Sequence, residues 1–373
     1  MHDYDLVVVG GGPAGATVGR ALRARGWDVL LIDKAEFPRD KTCAGWVTPA
    51  VFDVLRIDPA EYARERVLQP IHAFRIGLMG QPAREHHHGD EPVSYGIRRC
   101  EFDDYLRQRS GVEQALGEPV RELTRANGHW IVNGEYRAPW LIGAGGHFCP
   151  VAAHLGDGPG RHELAVTAKE VEFRMSPAQQ RACLARGDTP ELWFCRDLKG
   201  YAWIFRKGEY LNIGLGREDN HRLGQHLEEF VAAMQAAGRL PPELPSRYKG
   251  HAYLLYGHAQ RPLVSHGCLL VGDAAGLAYT QSGEGIRPAV ESALLAARLL
   301  AQHRDAPQQV MKGYDAALRA RFGRRGDRPR RPLPQWLKLA VAPGLMRSAW
   351  FTRRVVAERW FLQRQAPALG PEA

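Results

Sequence analysis

The chain has 373 residues, more than one simple domain usually needs, which suggests two lobes or one large elaborated domain. Apolar residues make up 45% of it and charged residues 24%, a globular composition that excludes a disordered, collagenous or coiled-coil protein. Its formal net charge of +9 makes nucleic acid, an anionic membrane surface and an acidic substrate the candidate partners.

The start of the chain and its cysteines indicate a cellular compartment. Neither a signal-peptide pattern nor an apolar run long enough to span a bilayer is found in the sequence. The six cysteines are widely spaced without a Cys-x-x-Cys pair, which favours a reduced, cytoplasmic setting over a zinc or disulfide framework. His86-His87-His88, beside Gly89, is interpreted as a solvated loop, and no metal site is predicted.

The first motif in the chain predicts a nucleotide site. An apolar strand over 6–9 is followed by the G-x-G-x-x-G sequence Gly10-Gly11-Gly12-Pro13-Ala14-Gly15. A helical pattern over 16–25 comes next, and then a second strand that ends at Asp33. Strand, turn, helix, strand and terminal acid in this order are typical of a Rossmann-like nucleotide-binding unit.

Each part of this motif has a physical role. Gly10 permits the tight turn, Gly12 lets the backbone approach a pyrophosphate, and Gly15 lets the helix pack closely on the strand. The helix N-terminus around Ala14 supplies free N–H groups for phosphates. Asp33 accepts hydrogen bonds from ribose hydroxyls, which disfavours a 2′-phosphate, so the ligand is FAD or NAD rather than NADP.

A second glycine-rich motif far downstream decides between FAD and NAD. An apolar strand leads into Gly272-Asp273, and Ser282-Gly283-Glu284-Gly285-Ile286 precedes a helical pattern over 287–300. Asp273 at a strand end can hold the ribityl hydroxyls of a flavin. A helix that begins at Gly285-Ile286 can direct N–H groups at the pyrimidine edge of the flavin. An NAD dehydrogenase has no use for such a site, so the sequence predicts FAD.

Together, these motifs resemble the FAD-dependent oxidoreductases of the geranylgeranyl reductase family, within the superfamily that includes glutathione reductase, p-hydroxybenzoate hydroxylase and the flavin-dependent halogenases. The resemblance covers nearly the whole chain. It implies that Lys34 belongs to the cofactor site and that Lys41-Thr42-Cys43-Ala44-Gly45 lies beside the isoalloxazine ring. It also implies that Arg99 reaches the FAD phosphates or ribityl chain, and that Val120 meets the adenine.

The family's Tyr-x-Trp-x-Phe strand is matched by Tyr201-Ala202-Trp203-Ile204-Phe205. Tyr201, Trp203 and Phe205 share one side of a strand because the side-chain period is two, and we call them the aromatic face. The pattern alone favours protein core, whereas the resemblance implies a pocket wall over the flavin. The resemblance makes Cys43, Tyr201 and Trp203 the candidate catalytic residues. Cys43 would shape the reaction centre or donate a proton there; the alternative is a small buried residue.

The chain departs from the family pattern at three places. Arg206 and Thr280 stand where the family usually has prolines. The Gly-Ala-Asp-Gly strand end reads Gly143-Ala144-Gly145-Gly146, so its acid is missing. In aromatic hydroxylases this acid helps to organise the FAD and NADPH sites. Its absence therefore weakens a hydroxylase interpretation and leaves the electron donor open, as NAD(P)H or a reduced carrier protein.

The predicted fold is α/β with three parts. A discontinuous Rossmann-like FAD-binding domain comprises 1–60, 96–155 and 262–318. An inserted substrate domain with a mixed or antiparallel sheet comprises 61–95 and 156–261, including strand-like residues 164–173. A basic C-terminal helical segment covers 319–373. We expect the isoalloxazine ring and the substrate to meet between the first two domains.

Three functions are compatible with this architecture. The leading one is a reductase in which reduced FAD delivers hydride to a carbon–carbon double bond of an apolar, isoprenoid-like substrate. The second is a flavin-dependent monooxygenase acting on an aromatic or apolar substrate, free or on a partner protein. The third is an electron-transfer flavoprotein that has no small-molecule substrate of its own.

The positive charge is concentrated near the end of the chain. Residues 319–354 carry ten arginines and Lys338 against Asp327, a net +10, which leaves −1 for residues 1–318 because 355–373 sum to zero. No basic stripe crosses the catalytic lobes, so nucleic acid is not expected. Segment 319–373 is either a helical cap on the FAD domain or a peripheral contact for an anionic membrane at its inner face or an acidic protein; both roles are compatible.

Overall fold

The computed structural model describes residues 1–156, 165–219, 221–323 and 334–369. The predicted strand residue 164 falls outside these ranges. So do residues 324–333, which hold five of the ten arginines of 319–354. The strands are β1 (His2–Asp3), β2 (Leu6–Val9), β3 (Val29–Asp33), β4 (Trp46–Val47), β5 (Leu68–Ile71), β6 (Ala73–Leu78), β7 (Arg84–His87), β8 (Ser94–Ile97), β9 (Glu113–Leu116), β10 (Leu123–Ala126), β11 (His129–Val132), β12 (Tyr136–Ala138), β13 (Trp140–Gly143), β14 (Ala165–Arg174), β15 (Glu191–Phe194), β16 (Gly200–Lys207), β17 (Tyr210–Arg217), β18 (Lys249–Leu254), β19 (Val264–Ser265) and β20 (Cys268–Leu270).

Ten α-helices and a π-helix are found in the described residues. The α-helices are α1 (Pro13–Arg23), α2 (Pro49–Leu55), α3 (Pro59–Tyr62), α4 (Arg99–Ser110), α5 (Pro150–Leu155), α6 (Pro177–Ala182), α7 (Leu223–Ala236), α8 (Ile286–Gln302), α9 (Pro307–Phe322) and α10 (Gln335–Arg347). The π-helix covers Phe351–Phe361, and two 3₁₀ turns cover Tyr256–His258 and Gly272–Ala275. None of the helices among these residues is long and apolar enough to cross a bilayer.

A six-stranded sheet forms the centre of the first lobe, in the order β19-β20-β13-β2-β3-β9. Its strands pair in parallel except for the short antiparallel pair β19–β20. All four residues of β2 are buried, as expected of a parallel strand covered on both faces. Helix α1 packs against α8 and α4. This packing brings the glycine-rich motif at the start of the chain close to the one that precedes α8.

A seven-stranded sheet forms the second lobe, in the order β18-β14-β17-β16-β15-β6-β7. Its pairs are antiparallel apart from the parallel pair β15–β6. Helix α7 buries Leu227 and Phe230 in a cluster on one side of this sheet. The mixed α/β architecture predicted from the sequence is confirmed. The domain boundaries stay a prediction, although the two large sheets separate along the predicted division.

The C-terminal segment, residues 334–369, lies mainly against the seven-stranded sheet. Helix α10 contacts β6, and Val356 and Phe361 of the π-helix belong to a hydrophobic cluster that includes Phe74 of that strand. The histidine triplet takes part in this packing. His86 is buried in β7, and its Nε2 lies 2.7 Å from Thr352 Oγ1. The interpretation of the triplet as a solvated loop is therefore wrong.

Candidate functional site

The glycine-rich turn after β2 has the geometry of a phosphate-binding loop. Gly10 has φ +115°, and a Cβ placed there would lie 2.5 Å from the Ala144 carbonyl carbon. A Cβ at Gly15 would lie 1.9 Å from the Gly10 carbonyl oxygen, so neither position accepts a side chain. Around Gly12 the nearest atom to such a Cβ is Arg39 Nη2, at 3.4 Å. Close packing behind the turn and space at Gly12 fit a pyrophosphate against the backbone.

Helix α1 begins directly after this turn. Gly12 is its N-cap, Pro13 is the first helical residue, and no side chain caps its N-terminus. Proline is suited to this position because its missing N–H would have no intrahelical partner. The other N–H groups of the first turn and the positive end of the helix dipole are available to an anion. Ala14 is buried here, with Gly272 of the second motif close to its Cβ.

Asp33 lies at the end of β3, where the sequence predicts the adenosine end of the site. Its Oδ2 accepts a hydrogen bond from the Gly11 N–H at 2.7 Å, and its Oδ1 accepts one from Ala35 at 2.9 Å. The side chain is buried, yet each carboxylate oxygen keeps a second lone pair that a ribose hydroxyl can use. Lys34 is exposed, and Val120 packs against the core of the six-stranded sheet. The roles assigned to these last two residues stay predictions.

An arginine pair joined through Asp103 extends the site from the glycine turn. Arg99 binds Asp103 with two hydrogen bonds of 2.8 Å, and Arg39 Nη1 lies 3.3 Å from the same carboxylate. Arg39 Nη2 is also 3.9 Å from Asp33. Although burial opposes it, the Asp103 carboxylate raises the pKa of Arg99, so this guanidinium stays charged. The two cations and one carboxylate suit an anionic phosphate neighbour.

A second charged cluster surrounds Asp273 at the 3₁₀ turn after β20. His251 Nε2 lies 3.9 Å from Asp273 Oδ2 and 2.6 Å from Lys41 Nζ. Burial lowers the pKa of Lys41 to about 8. Burial opposes ionisation of Asp273, but the neighbouring His251 and the Lys41 charge prevail and lower its pKa to about 2. Asp273 is therefore an ionised acceptor, as the predicted ribityl contact requires.

The turn before α8 approaches this acid closely. A Cβ at Gly285 would lie 2.8 Å from Asp273 Oδ1. Gly283 has φ +70°, and a Cβ there would lie 2.4 Å from the Tyr253 hydroxyl oxygen. No side chain caps the N-terminus of α8, where Ile286 is the first helical residue and is buried. These backbone groups and Asp273 form the predicted flavin-binding corner.

The loop at 43–45 is fixed by the substrate-domain sheet. Trp203 Nε1 donates a 2.7 Å hydrogen bond to Asn212 Oδ1, and Asn212 Nδ2 donates a 3.0 Å bond to the Cys43 carbonyl oxygen. Gly45 has φ +65°, and a Cβ there would lie 2.1 Å from the Ile97 carbonyl oxygen. The Gly45 N–H points to Cys43 Sγ at 3.4 Å. Two predicted residues, Cys43 and Trp203, are therefore linked through Asn212.

Two buried glutamates adjoin this part of the site. Asn212 also donates a 3.0 Å hydrogen bond to Glu170, and burial raises the pKa of Glu170 to about 7. Glu284 accepts a 3.0 Å hydrogen bond from the Arg287 N–H on Oε1, while its buried Oε2 has no hydrogen-bond partner among the described residues. Burial raises the pKa of Glu284 to about 7.

The aromatic face is covered by the chain's own C-terminal segment. Phe361 lies 5.4 Å from Tyr201 and 5.8 Å from Trp46 between ring centroids. Trp203, Phe205 and Phe361 belong to one hydrophobic cluster, and the partly buried Tyr201 and Ala44 pack against it. The Tyr201 hydroxyl donates to the Ser282 carbonyl oxygen, beside the turn that precedes α8. The aromatic face thus lies between the 43–45 loop and the C-terminal segment.

Several residues of the site are not evident from sequence reasoning. Arg39 carries a weak signal, since it is a basic residue shortly after the ribose acid. Asn212 carries another, because it is a lone polar residue between apolar neighbours in a buried strand. Nothing in the sequence around His251 indicates a role in the site, because the pairing of β18 with β14 is what brings it near Asp273.

Comparison with known proteins agrees with this geometry. Residues 3–325 match a family model described as FAD binding domain. The chain belongs to this FAD-binding family. The fit rests on this structure's own features: a turn without room for side chains, an uncapped helix N-terminus, and charged groups for phosphate and hydroxyls. This flavoprotein is an FAD-dependent oxidoreductase. Its predicted resemblance to the geranylgeranyl reductases is confirmed.

Two relatives and one solved structure illustrate the likeness. The flavoprotein is 27% identical over 330 residues to a digeranylgeranylglycerophospholipid reductase of Methanocaldococcus jannaschii, covering 84% of this chain and 81% of the relative. It is 28% identical over 345 residues to a menaquinone reductase of Mycobacterium tuberculosis, covering 86% and 81%. A geranylgeranyl bacteriochlorophyll reductase-like protein from Thermoplasma acidophilum shares the fold, with TM-score 0.73, 22% identity and 98% of each chain covered.

Proposed function

We propose that this flavoprotein reduces a carbon–carbon double bond of an apolar, isoprenoid-like substrate. The observation that carries the proposal is the hydrogen-bonded link from Trp203 through Asn212 to the Cys43 carbonyl, which joins an aromatic wall to the loop expected beside the flavin. Aromatic side chains give large apolar contact areas that suit an unsaturated hydrocarbon chain. The names of the two reductase relatives agree with a substrate of this class.

The residues of the chain divide the work as follows. The glycine turn, Arg39 and Arg99 would bind the phosphates. Asp33 would bind the adenosine ribose. Asp273 and the N-terminus of α8 would bind the flavin end of the cofactor. Bound FAD supplies hydride-transfer chemistry once it is reduced. The aromatic face would line the position of the apolar chain. Trp203 and Phe205 are buried under the C-terminal segment, which would exclude water there.

Proton supply is assigned to Cys43 rather than Tyr201. Burial raises the pKa of Tyr201 well above its ordinary value of 10, and its hydroxyl is already committed to the Ser282 carbonyl. Tyr201 is therefore a positioning residue for the turn before α8. Cys43 is half-buried in the 43–45 loop and carries a thiol that can donate a proton.

The experiment is an anaerobic assay on the FAD-loaded full chain. The substrates are unsaturated isoprenoids, the chemical reductant is dithionite, and NADH, NADPH and a reduced ferredoxin are compared as natural donors. A product heavier by about 2 Da for each reduced bond is expected without oxygen. A product heavier by about 16 Da that needs oxygen would instead support the monooxygenase alternative. Electron exchange with a carrier protein and no product would support the electron-transfer alternative.

The Cys43→Ala variant tests the role of the thiol. We expect turnover to fall by about 10²-fold, the lower range for loss of general acid catalysis, while FAD content stays near that of the wild type. Cys100→Ala is the matched control, because Cys100 is also half-buried but lies on α4. Equal turnover in Cys43→Ala and the wild type would remove Cys43 from the reaction.

A further inference from the structure

Exposed apolar side chains are concentrated on one short stretch of the C-terminal segment. Trp336 is 70% exposed and Trp350 is 68% exposed, and Leu339, Val341 and Leu345 between them are exposed as well. We call these five residues the docking surface. In the rest of the described chain the large apolar side chains that are exposed are single ones, namely Met1, Phe148 and Leu184. Exposed apolar side chains concentrated along one segment in this way indicate an interaction site rather than ordinary surface.

The docking surface is set among cations. The described C-terminal residues 334–369 carry six Lys and Arg against one acid, Glu358, a net charge of +5. Glu358 lies 2.8 Å from Arg354, 3.6 Å from Arg353 and 3.7 Å from Arg364, so the one negative charge of this stretch faces these three arginines. Exposed Lys338 lies between Trp336 and Leu339 in α10. Tryptophan beside Lys and Arg is typical of a membrane–water interface.

We propose that this enzyme binds to an anionic lipid bilayer through the docking surface. A second copy of the chain is disfavoured as the occupant, because it would bring two surfaces of the same positive sign together. An anionic bilayer satisfies both features at once, since its headgroups attract Lys and Arg and its interface accepts Trp side chains.

The position of the docking surface also gives a route for substrate. Met346 of α10 and Phe361 of the π-helix face inward and belong to the same hydrophobic cluster as the aromatic face. The C-terminal segment therefore lies between the bilayer side and the candidate substrate wall. A lipid chain could pass along it without crossing water. This last step rests on the proposed function, whereas the docking itself does not.

The test is flotation of the FAD-loaded full chain with vesicles of phosphatidylcholine alone or with one quarter phosphatidylglycerol. We expect binding to the anionic vesicles, weakened by 0.5 M NaCl because salt screens exposed charges. The double variant Trp336→Ser/Trp350→Ser should bind about tenfold or more weakly, from the loss of two interfacial side chains. The double variant Lys338→Glu/Arg347→Glu should also bind anionic vesicles more weakly, because it replaces two cations by anions. It serves as an independent test if the tryptophan variant folds poorly.

Leu345→Ser and Leu184→Ser form a matched pair of controls, because both leucines are exposed and only Leu345 is on the docking surface. Weaker binding in Leu345→Ser alone supports the proposal. Equal binding to vesicles without anionic lipid, or unchanged binding in the tryptophan double variant, would overturn it. So would sedimentation of the wild type as a dimer through this surface, or docking on an acidic protein while vesicles stay unbound.

A second assay separates docking from chemistry. With a short isoprenoid in detergent and no vesicles, the tryptophan double variant should reduce substrate at the wild-type rate. With the lipid substrate in anionic vesicles, it should be slower by the same factor as its loss of binding. If the wild type reduces no isoprenoid but its vesicle binding still depends on Trp336 and Trp350, the docking proposal stands and the proposed function fails.

Discussion

The FAD-binding corner comprises the glycine turn after β2, Asp33, Asp273 and the turn before α8. This corner and the aromatic face are built in different ways. The corner is defined by backbone: Gly10, Gly15 and Gly285 approach other atoms so closely that a Cβ has no room. The aromatic face is defined by side chains from distant parts of the chain, with Phe361 of the π-helix packing on Tyr201 of β16. A ligand site made of backbone tolerates almost no substitution, whereas one made of packed side chains can change its specificity.

The largest effect that separates the two regions is expected at Gly15. In Gly15→Val the new side chain would collide with the Gly10 carbonyl oxygen, so the glycine turn cannot close. We expect loss of FAD, measured as flavin absorbance per purified chain, together with loss of activity. Gly224→Ala is the control, because a Cβ there meets only Lys169 Nζ at 3.5 Å. Normal FAD content in Gly15→Val would show that the turn is not the phosphate site.

Phe361→Ala should have the next largest effect, confined to the other region. Removing a buried phenyl ring leaves a cavity and lowers the free energy of unfolding by about 3–5 kcal/mol. FAD content should stay near that of the wild type, and KM for the apolar substrate should change more than kcat. Phe148→Ala is the control, with a change within about 0.5 kcal/mol because Phe148 is exposed. Loss of FAD in Phe361→Ala would mean that the two regions are not independent.

Asn212 tests the link between the regions. Asn212→Ala leaves the Trp203 N–H without its acceptor and should cost about 1–3 kcal/mol of stability. We expect turnover to fall about tenfold at unchanged FAD content, because the 43–45 loop loses its tether. Trp203→Phe removes the same N–H together with part of the ring. Because both variants break the Trp203–Asn212 bond, the double variant should be less impaired than the two single effects added together. Simple additivity would show that Trp203 and Cys43 are not coupled.

The last effect is a dependence of stability on pH that comes from Glu284. Its pKa is raised to about 7 in the folded protein from an ordinary 4.5, so the folded state binds more protons than the unfolded state between these values. Stability therefore falls as pH rises through this window, by up to about 1.4 kcal/mol for each pKa unit. Glu284→Gln should flatten the dependence of the unfolding free energy on pH from 4.5 to 8. The exposed Glu65→Gln is the control, and an unchanged slope in Glu284→Gln would contradict the assignment.

The same contrast explains what the sequence could predict. The FAD-binding corner consists of short motifs whose residues are neighbours in sequence, so Gly10, Asp33 and Asp273 could be assigned roles before the structure. The Lys41–His251 contact joins residues 210 positions apart, and no local pattern indicates it. The packing of the C-terminal segment on the aromatic face was not predicted either. The sequence shows that Phe361 is apolar, but its periodicity does not indicate which surface Phe361 packs on.

The arginine at the start of α8 has a consequence for how ligands influence one another. Arg287 Nη2 donates to the carbonyl oxygens of Ala366 and Pro367, at 2.6 and 2.9 Å. The helix whose N-terminus would contact the flavin therefore also binds the last described residues of the C-terminal segment. If the start of α8 and the C-terminal segment order together, thermodynamic reciprocity applies: the factor by which FAD binding changes the affinity for a lipid surface equals the factor by which the lipid surface changes the affinity for FAD. Cofactor retention would then report on where the enzyme sits.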